Sequence, residues 1–233
     1  MVPAAALLVA LVVYSRFAGH LPALSDWGNV AFLALLVIPA TFGLVWIALP
    51  ARERTPGGVL VALALLFVAL AAAATVADLE ILANVAKLAA ATVVGWWFLL
   101  FFEAAWWVLL VAVLIVPVDL FSVARGPTKE ITENQPHVFD TLSIFLRIPG
   151  ETGTANLGLP DVLFFALFLG ASVRFGLRTG ATWLAMTLSF GATLALAVAL
   201  DRAGVAALPL LSLAFVLVNG DLLWRSARAR SSV

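Results

Sequence analysis

The chain has 233 residues, of which 64% are hydrophobic and only 11% are charged, with 13 Lys and Arg balanced by 13 Asp and Glu. A water-soluble domain carries roughly a quarter of its residues as charges, so this composition indicates a protein that resides in a lipid bilayer. The absence of cysteine excludes a disulfide-stapled fold and a thiolate metal or redox site, and the balanced charge argues against nucleic-acid binding.

Uncharged apolar runs, bounded by charges or by Pro/Gly clusters, predict the membrane-spanning helices. The length of each run is close to that of a helix that crosses the hydrocarbon core, about 20 residues. The expected fold class is all-α, a polytopic membrane helix bundle of about eight helices, with a range of roughly seven to nine. The predicted spans within this single membrane domain (1–233) are 2–19, 27–49, 57–77, 81–101, 104–124, 159–177, 180–200 and 205–223.

One long polar loop, 125–158, separates the N-terminal helices (1–103) and the fifth span from the last three spans. Within the loop, 137–148 is amphipathic and predicts a helix along the membrane surface, while 149–158 predicts extended or turn structure. Loops of this length are commonly functional. Glycines at 170, 176, 180 and 191 in the following spans predict close contacts between helices.

Basic residues near the span ends indicate the orientation. Seven arginines lie on the side that both termini share, against five arginines and lysines on the side of the long loop. This excess weakly favours cytoplasmic termini. We expect an integral, multi-pass protein of the cell membrane.

Two aspartates lie within predicted spans. Asp119 precedes the end of the fifth span by about five residues, roughly 7 Å below the interface at 1.5 Å per residue, and Asp161 lies in the first turn of the sixth span. Because these spans are consecutive and antiparallel, both aspartates lie on the same side of the membrane and can face each other. Taken singly, each is also explained as a capping or snorkelling residue, since carboxylates favour a helix start.

The segment Ala207, Leu208 and Pro209 opens the last span on that same side. A proline there frees backbone groups from the helix ladder, so the segment can run extended and hydrogen-bond a bound peptide. The alternative is an ordinary first-turn proline. Pro117, two residues before Asp119, predicts a kink that brings that helix toward the pair.

Two carboxylates held close in a low dielectric cannot both ionise cheaply, so the pair keeps one proton and titrates as a unit. The ionised member can accept a proton from water that attacks a peptide carbonyl, while the protonated member hydrogen-bonds the carbonyl oxygen. The same pair can instead relay protons in a transporter. The residues alone leave both chemistries open.

The motifs around these residues resemble a known family. Val118-Asp119-Leu120 with Gly126-Pro127, then Leu157 to Asp161 opening a helix, then Ala207-Leu208-Pro209, resemble the presenilin and signal peptide peptidase family of Gly-x-Gly-Asp intramembrane aspartyl proteases, over about residues 115–218. The resemblance implies a presenilin-like bundle with Asp119 and Asp161 as the catalytic pair. It further implies a substrate-binding role for Gly158, Leu159, Pro160, Ala207, Leu208 and Pro209.

The chain departs from the family pattern at three positions and has eight predicted spans where the family has nine. Ala206 or Ala207 stands where the leading proline of the last motif would be, although the Ala-Leu-Pro register is kept. Val118 replaces the tyrosine before the first aspartate, and Pro160 replaces the second glycine of the Gly-x-Gly-Asp motif. Proline removes a backbone donor and fixes φ beside Asp161, so it can reshape the site or abolish activity. The prepilin peptidases are also similar in helix number and motif, but the lysine-containing continuation after their aspartate is absent.

Three hypotheses follow. The first is an intramembrane aspartyl endopeptidase that cleaves transmembrane or signal-peptide-like helices, with 152–157 pairing with substrate as an added strand. The second is a catalytically inactive relative that binds helices without cutting them. The third is a proton-coupled transporter that uses the same carboxylates, although the sequence lacks the paired discontinuous helices of many carriers. The expected partners are helical transmembrane peptides and the lipid bilayer, with no metal, cofactor or nucleic acid.

Overall fold

The computed structural model describes residues 2–125, 141–202 and 205–230, with side chains described except at 123–125, 227, 229 and 230. These residues form eight helices and one hairpin. The helices are α1 (Val2–Phe17), α2 (Asp26–Arg54, with a π-helical segment at Leu33–Val37), α3 (Gly57–Val76), α4 (Glu80–Phe98), α5 (Ala105–Arg125), α6 (Leu159–Arg174), α7 (Thr179–Ala199) and α8 (Leu208–Arg230). The strands are β1 (Ser143–Arg147) and β2 (Thr154–Gly158), and 3₁₀ turns follow α1 and α4.

The helices confirm the predicted all-α polytopic bundle. Seven of those described are long and apolar enough to cross a membrane, so the chain has the build of a multi-pass membrane protein. The exception is α6, which has 16 residues and is therefore about 24 Å long. The hydrocarbon core of a bilayer is about 30 Å thick. The span predicted over 159–177 is therefore shorter than expected.

A Schellman motif ends α6. Gly176 adopts a φ of +63°, and its N–H donates to the carbonyl of Val173 while the N–H of Leu177 donates to that of Ser172. A Cβ at Gly176 would meet nothing within 4 Å, so the prediction of a helix contact at this glycine is wrong. The glycine serves the left-handed conformation of the helix end instead.

The short helix α6 is enclosed by the rest of the bundle. Its buried residues are Val162, Phe165, Ala166, Leu167, Phe168, Leu169, Gly170, Ala171 and Ser172. The helix packs most closely on α4 at Gly95, where an added Cβ would lie 2.4 Å from the carbonyl oxygen of Leu163. A helix surrounded by protein need not match the bilayer thickness, which explains how α6 can be so short.

The other predicted glycine contacts differ in closeness. A Cβ added at Gly170 would lie 3.0 Å from Leu99, and a Cβ added at Gly191 would lie 2.8 Å from Ala34. These distances confirm close contacts at both glycines. At Gly180 the nearest atom, in Trp46, lies 4.0 Å away, which is ordinary packing.

The strands β1 and β2 pair antiparallel, from Ser143 opposite Gly158 to Arg147 opposite Thr154. The surface helix predicted over 137–148 is wrong for 143–147, whereas the extended structure predicted over 149–158 is confirmed for β2. A short apolar run fits the helical and the strand periods equally well, and here the side chains of Ile144 and Leu146 are buried with strand alternation. The part of that prediction over 137–140 lies outside the described residues.

The hairpin is docked on the loop that follows α1. Gly150, in the turn between the strands, has a φ of +71°, and its N–H donates to the carbonyl of Ala18. An added Cβ would lie 2.4 Å from the nitrogen of Ala23, so only glycine allows this approach. Because consecutive helices run antiparallel, the hairpin, the loop after α1 and the start of α8 share one end of the bundle, called here the hairpin end.

Candidate active site

Asp161 is held by the chain that leads into its own helix. Gly158 is the N-cap of α6 and Asp161 is the third helical residue, whose carboxylate lies against the backbone of Gly158. An acid in the first turn is favoured by the helix dipole, as in the capping explanation for Asp161. The local chain therefore positions the carboxylate of this half-buried residue.

Gly158 contacts the carboxylate so closely that a side chain at this position would displace it. An added Cβ would lie 2.9 Å from Oδ2 of Asp161. The next residue, Leu159, donates its N–H to the carbonyl of Leu142, which ties the helix start to the hairpin. The sequence motif thus places a glycine where the hairpin, the helix start and Asp161 meet.

Pro160 occupies the second position of α6 and is exposed. An N–H at this position has no acceptor within the helix, so proline removes no intrahelical hydrogen bond there, and its φ suits the helix start. The expected disturbance of the helix start by Pro160 therefore does not arise. Its neighbour Leu159 is half-buried in the same turn.

Asp119 is held by a different helix. Its Oδ2 accepts a hydrogen bond of 3.2 Å from the N–H of Leu208, the first residue of α8. The carbonyl of Ala207 accepts from Leu211, so α8 begins at once and Pro209 is a first-turn proline. The expectation of an extended segment is wrong for Leu208 and Pro209, and only Ala207 precedes the helix.

The two carboxylates lie close enough for the charge of Asp119 to act on Asp161. The structure thus brings together Asp119, Asp161, Gly158 and Leu208, while Val118 is 64% exposed on the outside of the bundle. Helix α5 packs mainly along α8 and touches α6 only sparsely. The carboxylate pair therefore lies between two helices that are not tightly packed against each other.

A set of polar residues that the sequence did not predict lies beside the hairpin. Tyr14 of α1 and Asn84 and Lys87 of α4 donate hydrogen bonds from their side chains to backbone carbonyls of β1. Lys87 is only 5% exposed. An intramembrane lysine is a sequence feature that could have marked the position, because charged residues in membrane helices face the protein interior.

Two cavities border the hairpin. A groove of about 860 Å³ runs between the end of α1, the start of α4 and the hairpin turn. A smaller cavity of about 70 Å³ lies between α1, α2, α4 and β1. Neither cavity is lined by Asp119 or Asp161. The strand residues that line the two cavities belong to β1, so both cavities lie on the β1 side of the hairpin.

Comparisons with protein-family models, with characterised proteins and with solved structures find no match to this chain.

Proposed function

We propose that this protein is an intramembrane aspartyl endopeptidase that cleaves peptide bonds in transmembrane or signal-peptide-like helices. The observation that carries the proposal is that Asp119 and Asp161, two carboxylates from consecutive helices, both lie at the hairpin end of the bundle. The carboxylate of Asp119 accepts a hydrogen bond from the Leu208 N–H, and that of Asp161 lies against Gly158. A carboxylate pair that shares one proton supplies a base and an acid at the same place.

In this mechanism a water molecule lies between the two carboxyl groups. The ionised aspartate accepts a proton from the water as its oxygen attacks the scissile carbonyl carbon, and the protonated aspartate donates a hydrogen bond and then its proton to the carbonyl oxygen. The tetrahedral intermediate is a gem-diol, and its collapse breaks the C–N bond. The aspartate that took the proton from water donates it to the leaving amine, and the other aspartate takes back a proton from one hydroxyl group of the gem-diol, which leaves as a carboxylic acid. The pair is thereby returned to its starting protonation.

Substrate must be extended before it is cut, because the carbonyls of a helix are bonded internally. In the antiparallel register, the outer N–H and C=O groups of β2 belong to Thr154, Asn156 and Gly158. Gly158 lies against the carboxylate of Asp161, and the outward groups of Asn156 have no partner among the described residues. An unwound peptide that adds to this edge runs toward the aspartates.

The remaining features fit the proposal. The exposed Pro160 leaves the carboxylate of Asp161 in contact with Gly158. The bilayer-spanning helices make membrane-embedded helices the natural substrates, and a location in the cell membrane is part of the proposal.

The test is cleavage of a panel of transmembrane peptides by the purified, detergent-solubilised full chain. Asp119→Asn and Asp161→Asn are each expected to abolish cleavage. Asp221→Asn is the matched control, because Asp221 lies on α8 at the opposite end of the bundle and pairs with Arg178. It should leave cleavage unchanged.

The other outcomes separate the remaining hypotheses. Peptide binding without cleavage by folded protein would support the non-cutting relative. Proton flux in proteoliposomes that both aspartate variants abolish, without peptide cleavage, would support the transporter. Cleavage that survives both substitutions would overturn the assignment of the catalytic pair.

A further inference from the structure

The two edges of the hairpin differ in their hydrogen bonding. On β1 the outward groups belong to Ser143, Phe145 and Arg147, the register partners of the outward residues of β2. All three of their carbonyls accept hydrogen bonds from side chains. The outward N–H and C=O of Asn156, opposite Phe145, have no hydrogen-bond partner within the described part of the chain.

The side chains along β1 act as a substitute for a third strand. Lys87 Nζ donates to Ser143 O at 2.9 Å, and the Tyr14 hydroxyl donates to Arg147 O. Between them, Asn84 Nδ2 donates to Phe145 O at 3.2 Å and Asn84 Oδ1 accepts from Phe145 N at 3.1 Å. A carboxamide has the donor and acceptor of one peptide unit, so Asn84 bonds Phe145 as a neighbouring strand would. Tyr14, Asn84 and Lys87 are called here the edge ladder.

The β1 edge borders open space at its Arg147 end. The small cavity is lined by Tyr14, Asn84 and Phe145, and at about 70 Å³ it is too small for a peptide. The large groove is lined by Glu80, Arg147 and the hairpin turn, so a peptide in the groove would meet β1 at Arg147. An ion pair between Arg147 and Glu80 closes the end of the same edge.

A peptide on the β1 edge would be in the wrong place for cleavage. Neighbouring strands lie about 4.8 Å apart, so a guest strand on β1 would lie about 14 Å from a guest strand on β2. The carboxylate of Asp161 lies against Gly158, the last residue of β2, whose backbone groups face outward on the β2 side. Only the β2 edge brings a peptide to the carboxylate.

We infer that the edge ladder closes β1 to guest strands, so that a substrate peptide adds to β2 alone; this inference rests on the proposed function. The three residues are positioning residues, because they act on the substrate through the choice of strand edge. The edge ladder has two roles. It satisfies the hydrogen bonding of the β1 backbone inside the membrane. It also determines at which strand edge an extended peptide binds.

The experiment uses the full chain, which contains no cysteine, so that one introduced thiol is unique. Phe145→Cys on β1 and Asn156→Cys on β2 form a matched pair, because the two residues are register partners. Each is combined with Asp119→Asn, which keeps the peptide uncut. The probe is a transmembrane peptide with one cysteine near its centre, joined to the protein by a short thiol cross-linker.

With the ladder intact, the peptide should be linked at position 156 and not at 145. Combining Asn84→Leu with Tyr14→Phe should raise linking at 145 about fivefold or more, the effect of about one lost hydrogen bond. Tyr14→Phe alone keeps the ring and fold and should give a smaller rise. In protein with both aspartates, the double variant should lower kcat/KM without moving the cleavage position.

Linking at 145 with the ladder intact, or a ratio of 145 to 156 that the ladder variants do not change, would overturn the inference. Linking at neither position would overturn it as well, because the peptide would not lie along the hairpin. Failure of the proposed function has a different outcome. The cross-linking pattern would then hold, while protein with both aspartates cut no peptide.

Discussion

Asp161 and Asp119 differ in what positions them. Asp161 belongs to the enclosed helix α6, and its carboxylate lies against Gly158, three residues earlier in the chain. Asp119 belongs to α5, whose outward residues are largely exposed, and its carboxylate is bonded by Leu208 of α8. Local chain geometry therefore positions the first carboxylate, and the packing of one helix against another positions the second.

The difference indicates how the site can respond to substrate. The contact with Gly158, the hairpin and the packing on α4 all restrain Asp161, whereas Asp119 can shift with α5 and α8 as a pair. Catalytic hydrogen bonds often tighten only when substrate is bound. We therefore expect movement of α5 relative to α6 to adjust the separation of the carboxylates, with Asp161 as the fixed reference.

The strongest way to break the local restraint is Gly158→Ala. The new Cβ would lie 2.9 Å from Oδ2 of Asp161 and displace the carboxylate. A shift of about 1 Å can cost about a hundredfold in rate, so we expect a loss of this size in cleavage by the purified protein. Gly153→Ala, whose nearest atom is 3.8 Å away, is the control and should retain activity. Equal activity of the two variants would show that the carboxylate is not held in this way.

A second substitution tests the packing that supports Asp161. In Gly95→Ala the new methyl would lie 2.4 Å from the carbonyl oxygen of Leu163 and force α4 and α6 apart. Overpacking of this kind costs about 1–3 kcal/mol, which should lower the melting temperature in detergent. Gly220→Ala in α8 is the control, since its Cβ would meet nothing within 4 Å. A melting temperature unchanged by Gly95→Ala would contradict the close approach of the two helices.

The tertiary restraint on Asp119 is tested with Leu208→Pro, which removes the N–H donor at a position where a helix tolerates proline. Loss of a hydrogen bond to a charged group should lower cleavage about tenfold or more. Leu208→Ala removes the buried side chain but keeps the N–H, so it should lower cleavage less. Equal losses in the two variants would mean that the side chain, and not the hydrogen bond, positions Asp119.

The smallest effect is expected at the opposite end of the bundle. Arg178 donates to both carboxylate oxygens of Asp221, at 2.6 and 2.8 Å, and both side chains are nearly half exposed. Exposed ion pairs contribute little to stability. Asp221→Asn should therefore leave cleavage unchanged and the melting temperature nearly so. A marked loss of cleavage would show that the two ends of the bundle are coupled. The positions of Asp119 and Asp161 would then depend on the opposite end as well.

Much of the helix layout could be predicted from the sequence. The spans predicted over 57–77 and 180–200 agree with Gly57–Val76 and Thr179–Ala199 within a residue or so. Hydrophobicity and flanking charge are properties of a segment itself, so they need no knowledge of its neighbours. The sequence also predicted that Asp119 and Asp161 lie at the same end of the bundle. This follows from the antiparallel order of consecutive helices alone.

The hairpin and the edge ladder could not be predicted in this way. Residues 143–147 fit a helix as well as a strand, and their pairing partner 154–158 decided between the two. Tyr14 and Asn84 are distant in sequence from the strand that they bond. Whether their side chains reach β1 depends on the rotation and tilt of α1 and α4, which helix packing determines.

The sequence by itself determined the class of the protein, the positions of its helices and the end of the bundle where both aspartates lie, because burial of apolar segments in lipid is a local requirement. Only the tertiary structure decided that Leu208 donates to the carboxylate of Asp119, that Gly158 lies against that of Asp161, and that one edge of the hairpin is occupied while the other is open. Those features depend on distances between segments far apart in the chain, which are set by close packing of side chains.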